Sequence, residues 1–172
     1  MVFVWLVFAV IGSQSVVFCA TDAPKTHGMS DLTDDEIISI DTLRQKQLNG
    51  EHFLLIDARG KKSYETSHIV GAVLSLTDDY YKQEELFRQG IISNMPNTDL
   101  SLSEAMGRYP KNTSIVTYCN NNCQASAVLL LKLKKLGYSD VKAMEEGFQS
   151  WEKKKYPVEA GQQKTGAHSS AG

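Results

Sequence analysis

The stretch SIVTYCNNNCQASAVLLLKLKKLG, residues 114–137, changes period midway, and that change decides the fold. Ser114 to Tyr118 is a short run rich in β-branched residues and reads as a strand. From about Gln124 to Leu136 the apolar positions Ala127, Leu130, Leu131, Leu133 and Leu136 recur at helical spacing, and Gly137 ends the run. A strand, a five-residue loop and a helix therefore follow one another. In an open α/β sheet, ligands sit beyond the carboxyl ends of the strands. Cys119 opens that loop and Cys123 closes it. The lysines 132, 134 and 135 read as solvated charges that complement the helix dipole.

Outward from there the same alternation repeats. Residues 37–40 form a β-prone run, with Asp41 as N-cap for a helix to Leu48 and Gly50 closing it. Residues 53–56 are continuously apolar and end at Asp57, and residues 72–74 make another short strand. A helix is expected over 77–88, a short one over 102–106 after a Ser101 cap, a strand over 141–144 and a last helix over 147–155. Such alternation indicates an α/β three-layer sandwich, a mostly parallel central sheet with helices on both faces.

Composition narrows the function. The 172 residues, 42% hydrophobic and 22% charged, suit one domain. A net charge of −2 and no dense basic run argue against nucleic-acid binding. Three cysteines and four scattered histidines supply no metal site, and no cofactor is implied. The apolar run over 2–11 has signal-peptide length, so residues 1–20 read as a signal peptide or N-terminal anchor. Cleavage after Ala20 or after Cys19 fits equally, and Cys19 is also a candidate lipidation site. Export to the periplasm or the cell exterior follows, with membrane attachment only if Cys19 is lipidated or the signal stays uncleaved. Residues 21–36 read as a flexible leader, 37–160 as the domain and 161–172 as a disordered tail.

Several fragments together resemble one family. Leu55-Ile56-Asp57-Ala58-Arg59, then Tyr64-Glu65, then Ser67-His68-Ile69-Val70-Gly71-Ala72 occur in order. Ile115-Val116-Thr117-Tyr118-Cys119, Leu136-Gly137-Tyr138, Glu146-Gly147-Phe148-Gln149-Ser150-Trp151 and Tyr156-Pro157-Val158 follow. The chain resembles a single-domain rhodanese. That resemblance implies the rhodanese fold and sulfur transfer through a persulfide on Cys119, from a small sulfur donor to a thiol, protein thiols included, or to cyanide. It implies a loop of Asn120, Asn121, Asn122, Cys123 and Gln124 whose backbone N–H groups cradle the sulfur. Asn tolerates left-handed backbone angles, which suits a curled loop. Asp57, Arg59 and Glu65 are expected to form an ion-paired cluster, and His68 to shape the pocket or carry a proton.

The departures are specific. The loop carries no cation, and Ala125 stands six after Cys119 where phosphatase relatives place an Arg, which argues against phosphatase activity. Cys123 is a second thiol, a candidate resolving or disulfide partner for Cys119. Three readings stand: a sulfurtransferase, a thiol–disulfide oxidoreductase using the Cys119/Cys123 pair, or a non-catalytic module that binds a partner through the 78–112 insertion. The first requires the Cys119 sulfur to be exposed among loop amides.

Overall fold

In the computed structural model, residues 28–161 are described. The expected signal, anchor and lipidation segment 1–20, leader residues 21–27 and tail residues 162–172 lie outside them. Among the described residues no helix is long and apolar enough to cross a membrane.

Five short strands make one parallel sheet: β1 (Ile37–Ile38), β2 (Leu54–Asp57), β4 (Val73–Leu74), β5 (Ile115–Tyr118) and β6 (Val141–Met144). Their order across the sheet is β1-β6-β5-β2-β4, which puts β5 in the middle. Register runs Leu54↔Ile115 to Asp57↔Tyr118, and Ile115↔Val141 on the other flank. The strands β3 (His68–Ile69) and β7 (Val158–Glu159) form a separate antiparallel pair.

The pleat sends alternate side chains to opposite faces. Leu55, Val116, Tyr118 and Met144 enter one core, with α1 (Ile40–Leu48), α2 (Lys61–Thr66), α3 (Asp78–Arg88) and α6 (Phe148–Lys153) packed over it. Ile56, Ile115, Val141 and Ala143 enter the other, under α4 (Thr98–Met106) and α5 (Ala125–Lys135). Two apolar faces on one sheet need two helical covers, which is why the sandwich has three layers.

The differences from the sequence reading have local causes. Ser39, not Asp41, caps α1: its hydroxyl accepts the Thr42 N–H at 3.2 Å, while Asp41 accepts from Lys154 Nζ and Tyr156 Oη. Asn97 caps α4 by accepting from the amides of Asp99 and Leu100, so Ser101 lies inside the helix and bonds Thr77 instead. The described part of the leader is seated on the domain. Residues 29–31 and 34–36 are 3-10 turns, Met29 and Leu32 pack on the second core, and Glu36 pairs with Lys134. Lys132 pairs with Asp99 at 2.5 Å, so two of the three lysines on α5 have carboxylate partners rather than water alone. The 78–112 segment contains α3 and α4 and exposes Leu86, Phe87, Ile91, Met95 and Leu100.

Candidate functional site

Cys119 follows the last residue of β5, where the sheet passes the chain to α5. Two fixed points hold this junction. The Thr117 hydroxyl donates to the Ser126 carbonyl at 3.0 Å, tying the strand to the first turn of the helix. The Phe148 N–H donates to the Cys119 carbonyl at 2.8 Å, tying the loop to α6. Asn121 completes the attachment. Its N–H donates to Gln149 Oε1 at 2.7 Å, its side-chain amide to Ser150 Oγ at 2.9 Å, and its Oδ1 accepts the Ser150 N–H. Asn122 has φ 56°, the left-handed angle that its residue type tolerates.

The sulfur of Cys119 is enclosed. The residue is 2% exposed, and its S–H faces the carbonyl oxygens of Cys123 at 3.0 Å and Asn120 at 3.5 Å. Ser126 Oγ lies 3.4 Å away, within hydrogen-bond reach of the sulfur. This corrects two expectations: the sulfur is buried rather than exposed, and the loop amides do not cradle it. The Asn121 N–H is taken by Gln149, the Cys123 N–H by the Asn120 carbonyl in a tight turn, and that turn aims carbonyls inward. Of the loop set Asn120, Asn121, Asn122, Cys123 and Gln124, only Asn120 and Cys123 present an atom to the sulfur. Burial, with the neighbouring Cys123 adding to it, pushes the Cys119 thiol up to about 11, against the opposing pull of Ser126.

Cys123 is partly open to solvent, and its sulfur accepts the Ala125 N–H, the first of α5, at 3.4 Å. Both cysteines are free thiols. Gln124 points away from them: its Oε1 accepts the Met29 N–H at 2.9 Å, and Gly28 is packed so close that a Cβ there would sit 2.4 Å from that oxygen.

Beneath the loop lies a buried ionic cluster. Asp57, fully buried, takes Arg59 Nε at 3.0 Å on both oxygens, Arg59 Nη2 at 2.7 Å and the Tyr118 hydroxyl at 2.8 Å. Arg59 also donates to the Ser67 carbonyl at 2.6 Å and lies 3.7 Å over the Phe148 ring. Breaking such a pair from one side costs about 3–5 kcal/mol, because it strands a buried charge. The cluster thus fixes Tyr118 and Phe148, the residues that carry and clamp Cys119. Glu65 is not in it. Glu65 pairs with Lys61 at 3.9 Å on the surface of α2. His68 is not at the sulfur either: it stacks on Tyr64 at 3.7 Å, and its ring nitrogens meet the Tyr64 carbonyl and Glu159. Its role is to join α2 to the β3–β7 pair.

A cavity of about 860 Å³ opens at the carboxyl ends of β2 and β4, lined by Ala58, Arg59, Gly60, Ser75, Leu76 and Tyr81 among others. No residue of the 119–124 loop lines it. The nucleophilic thiols thus lie outside this cleft. Among the described residues no group of three or more His, Cys, Asp or Glu is placed to hold a metal. Sequence reading did not anticipate Ser126, Gln149 or Ser150; only their closeness to the loop and to the closing segment could have suggested them.

The profile of the rhodanese-like domain matches residues 39–154. This chain belongs to the rhodanese-like domain family. No curated protein matches it. Among solved structures it is similar to the BH2092 protein of Bacillus halodurans, at 22% identity over 73% of this chain and 77% of that one, with a TM-score of 0.55. SseA from Escherichia coli, described with the fold and mechanism of 3-mercaptopyruvate sulfotransferases, is 18% identical over 73% of this chain and 52% of its own, with a TM-score of 0.55. Thiosulfate sulfurtransferase from Pseudomonas aeruginosa is 18% identical over 73% of this chain and 20% of its own, with a TM-score of 0.50. These likenesses establish the rhodanese fold.

Proposed function

We propose that this rhodanese-fold protein is a sulfurtransferase that carries sulfane sulfur as a persulfide on Cys119. The thiolate attacks the outer sulfur of a donor such as thiosulfate, the donor's S–S bond breaks and sulfite leaves with the electron pair. A thiol, on a small molecule or a protein, or cyanide then attacks the outer sulfur and regenerates the thiolate. The sulfur is not exposed among loop amides, as the sequence reading required; what supports the reading instead is its polar lodging against the Ser126 hydroxyl, between the central strand and α5, in a loop fastened to α6. Of the groups around the sulfur, the Ser126 hydroxyl is the one already placed to donate to it when its charge develops. Incubation with thiosulfate should add one sulfur to the mass of the wild-type protein. A Cys119→Ser protein that transfers sulfur to cyanide at the parent rate overturns the proposal.

A second reading, a thiol–disulfide oxidoreductase using both cysteines, is supported by the closeness of the two free cysteines, the Cys119 sulfur lying 3.0 Å from the Cys123 carbonyl. It expects a partner disulfide to oxidise the pair, with two hydrogens lost from the mass and a Cys119–Cys123 bond formed. Sulfur uptake and turnover with neither thiol consumed in a disulfide count against it.

A further inference from the structure

The buried Cys119 thiol leaves the sulfur-transfer reading with a problem of access. A donor must bring its outer sulfur in line with the attacking sulfur, to within about 3–3.5 Å. Cys119 is 2% exposed, and the carbonyls of Asn120 and Cys123 stand against its S–H side. The loop is not a loose flap that swings aside. Asn121 is fixed to α6 by three hydrogen bonds, and the Cys119 carbonyl by a fourth.

Cys123 has the complementary properties. It is partly exposed and stands at the start of the eleven-residue α5, with its sulfur accepting the first amide of that helix. The two residues are in direct contact, the Cys119 S–H reaching the Cys123 carbonyl at 3.0 Å. Cys123 is partly open to solvent, Cys119 is enclosed against Ser126, and the two are neighbours in one turn of the loop.

Building on the sulfurtransferase reading, we propose that Cys123 is a second catalytic residue, the thiol that first receives sulfur and passes it inward to Cys119. Cys123 attacks the outer sulfur of the donor, the donor's S–S bond breaks, and the leaving group departs with the electron pair. Cys119 then attacks the outer sulfur of the Cys123 persulfide. The bond from Cys123 to that sulfur breaks, a new S–S bond forms on Cys119, and the Cys119 proton passes to the departing Cys123. No oxidant or reductant is consumed, and one sulfane sulfur has moved from an open position to an enclosed one. An enclosed persulfide is shielded from unselective thiols, so a disordered encounter with solvent thiols does not discharge it.

The full-length wild-type protein, Cys123→Ser and Cys119→Ser are exposed to thiosulfate, quenched at intervals and read by fragmentation mass spectrometry, which locates the added sulfur. The wild type should carry sulfur first on Cys123 and later on Cys119. Cys119→Ser should hold it on Cys123, and Cys123→Ser should load Cys119 at least about tenfold more slowly than wild type, a barrier increase of about 1.4 kcal/mol. In a parallel arm that needs no substitution, iodoacetamide should label Cys123 of the wild type before Cys119. A wild type that loads Cys119 while Cys119→Ser stays unloaded, or while Cys123→Ser loads at the wild-type rate, overturns the relay alone. Labelling of Cys119 first does the same. A wild type that takes up no sulfur on either cysteine overturns the sulfurtransferase reading and the relay with it.

Discussion

The surroundings of Cys119 favour its protonated form. Burial is the largest cause, Cys123 reinforces it, and Ser126 pulls the other way, leaving the thiol at about 11 where 9.0 is its ordinary value. At neutral pH the thiolate is then on the order of one part in 10⁴. For an acid that is neutral when protonated, a raised value means that charge appears only at higher pH. Direct sulfur uptake by Cys119, isolated in Cys123→Ser, should therefore climb about tenfold per pH unit through the alkaline range. A rate plateau at or below 9.0, the ordinary value, would show that the sulfur is not desolvated as described. The same shift has a stability consequence. The contribution is fully present below 9.0 and is lost as pH rises through about 11. Ser126→Ala removes a group that favours the thiolate, so it should move the uptake profile to still higher pH while costing about 1 kcal/mol in a urea titration.

At the scale of elements, the loop owes its shape to α6 as much as to its own residues. Gly147, the N-cap of α6, has φ +80° and ψ 171°, and a Cβ there would lie 2.4 Å from the Asn121 backbone nitrogen. That combination is open essentially to glycine alone and costs other residues about 1–3 kcal/mol before any clash. Gly147→Ala should lower stability by at least that amount and also slow sulfur uptake, because the atom in the way is loop backbone. Asn122→Gly, at φ 56°, should change stability by less than about 1 kcal/mol. Urea titrations of both, read beside thiosulfate loading rates, check the pair; equal losses would mean that α6 does not shape the loop. This dependence also shows where sequence reading stops. Residues 53–56 announce their strand because burial on two faces favours a continuous apolar run, and Leu55 and Ile56 indeed enter opposite cores. The strand–loop–helix junction at Cys119 was legible from the same change of period. The helix α2 was not, since Tyr64 is its one buried residue and a single anchor creates no periodicity. The pair β3–β7 was not either, being two residues per strand held partly by Glu159 on His68 and on the Gly71 amide. The loop carbonyls that replace the expected amides follow from contacts made nearly thirty positions away, by Gln149 and Ser150, which no local pattern encodes.

For the molecule as a whole, the central position of β5 sets the two thiols where both cores meet the carboxyl edge of the sheet. The segment 28–36 closes one side of that edge. Gly28 and Met29 meet Gln124 at the end of the loop, Leu32 packs on the core beneath α5, and Glu36 pairs with Lys134. The segment is short and has few apolar anchors, so its charged contact at Lys134 matters to how firmly it stays. Hydrogen bonding to Lys134 is the largest cause holding the Glu36 carboxyl at about 2 rather than 4.5, with the Thr33 amide adding to it. A lowered value means that the attachment is complete above 4.5 and is lost as pH falls through about 2. The side chain is mostly shielded yet near the surface, so the pair is sensitive to salt and of modest strength. Acidification from 4.5 towards 2 should therefore release 28–36 before the sheet unfolds. Hydrogen exchange followed by mass spectrometry, corrected for the intrinsic pH dependence of exchange, reads this directly: protection of the amides over 28–36 should fall while that of β5 and β6 is retained. Glu36→Gln at neutral pH should reproduce the loss without acid. If the segment keeps its protection in both experiments, Met29, Leu32 and the bonds to Gln124 and Lys142 suffice to hold it, and the ion pair contributes nothing to closing the edge beside the thiols.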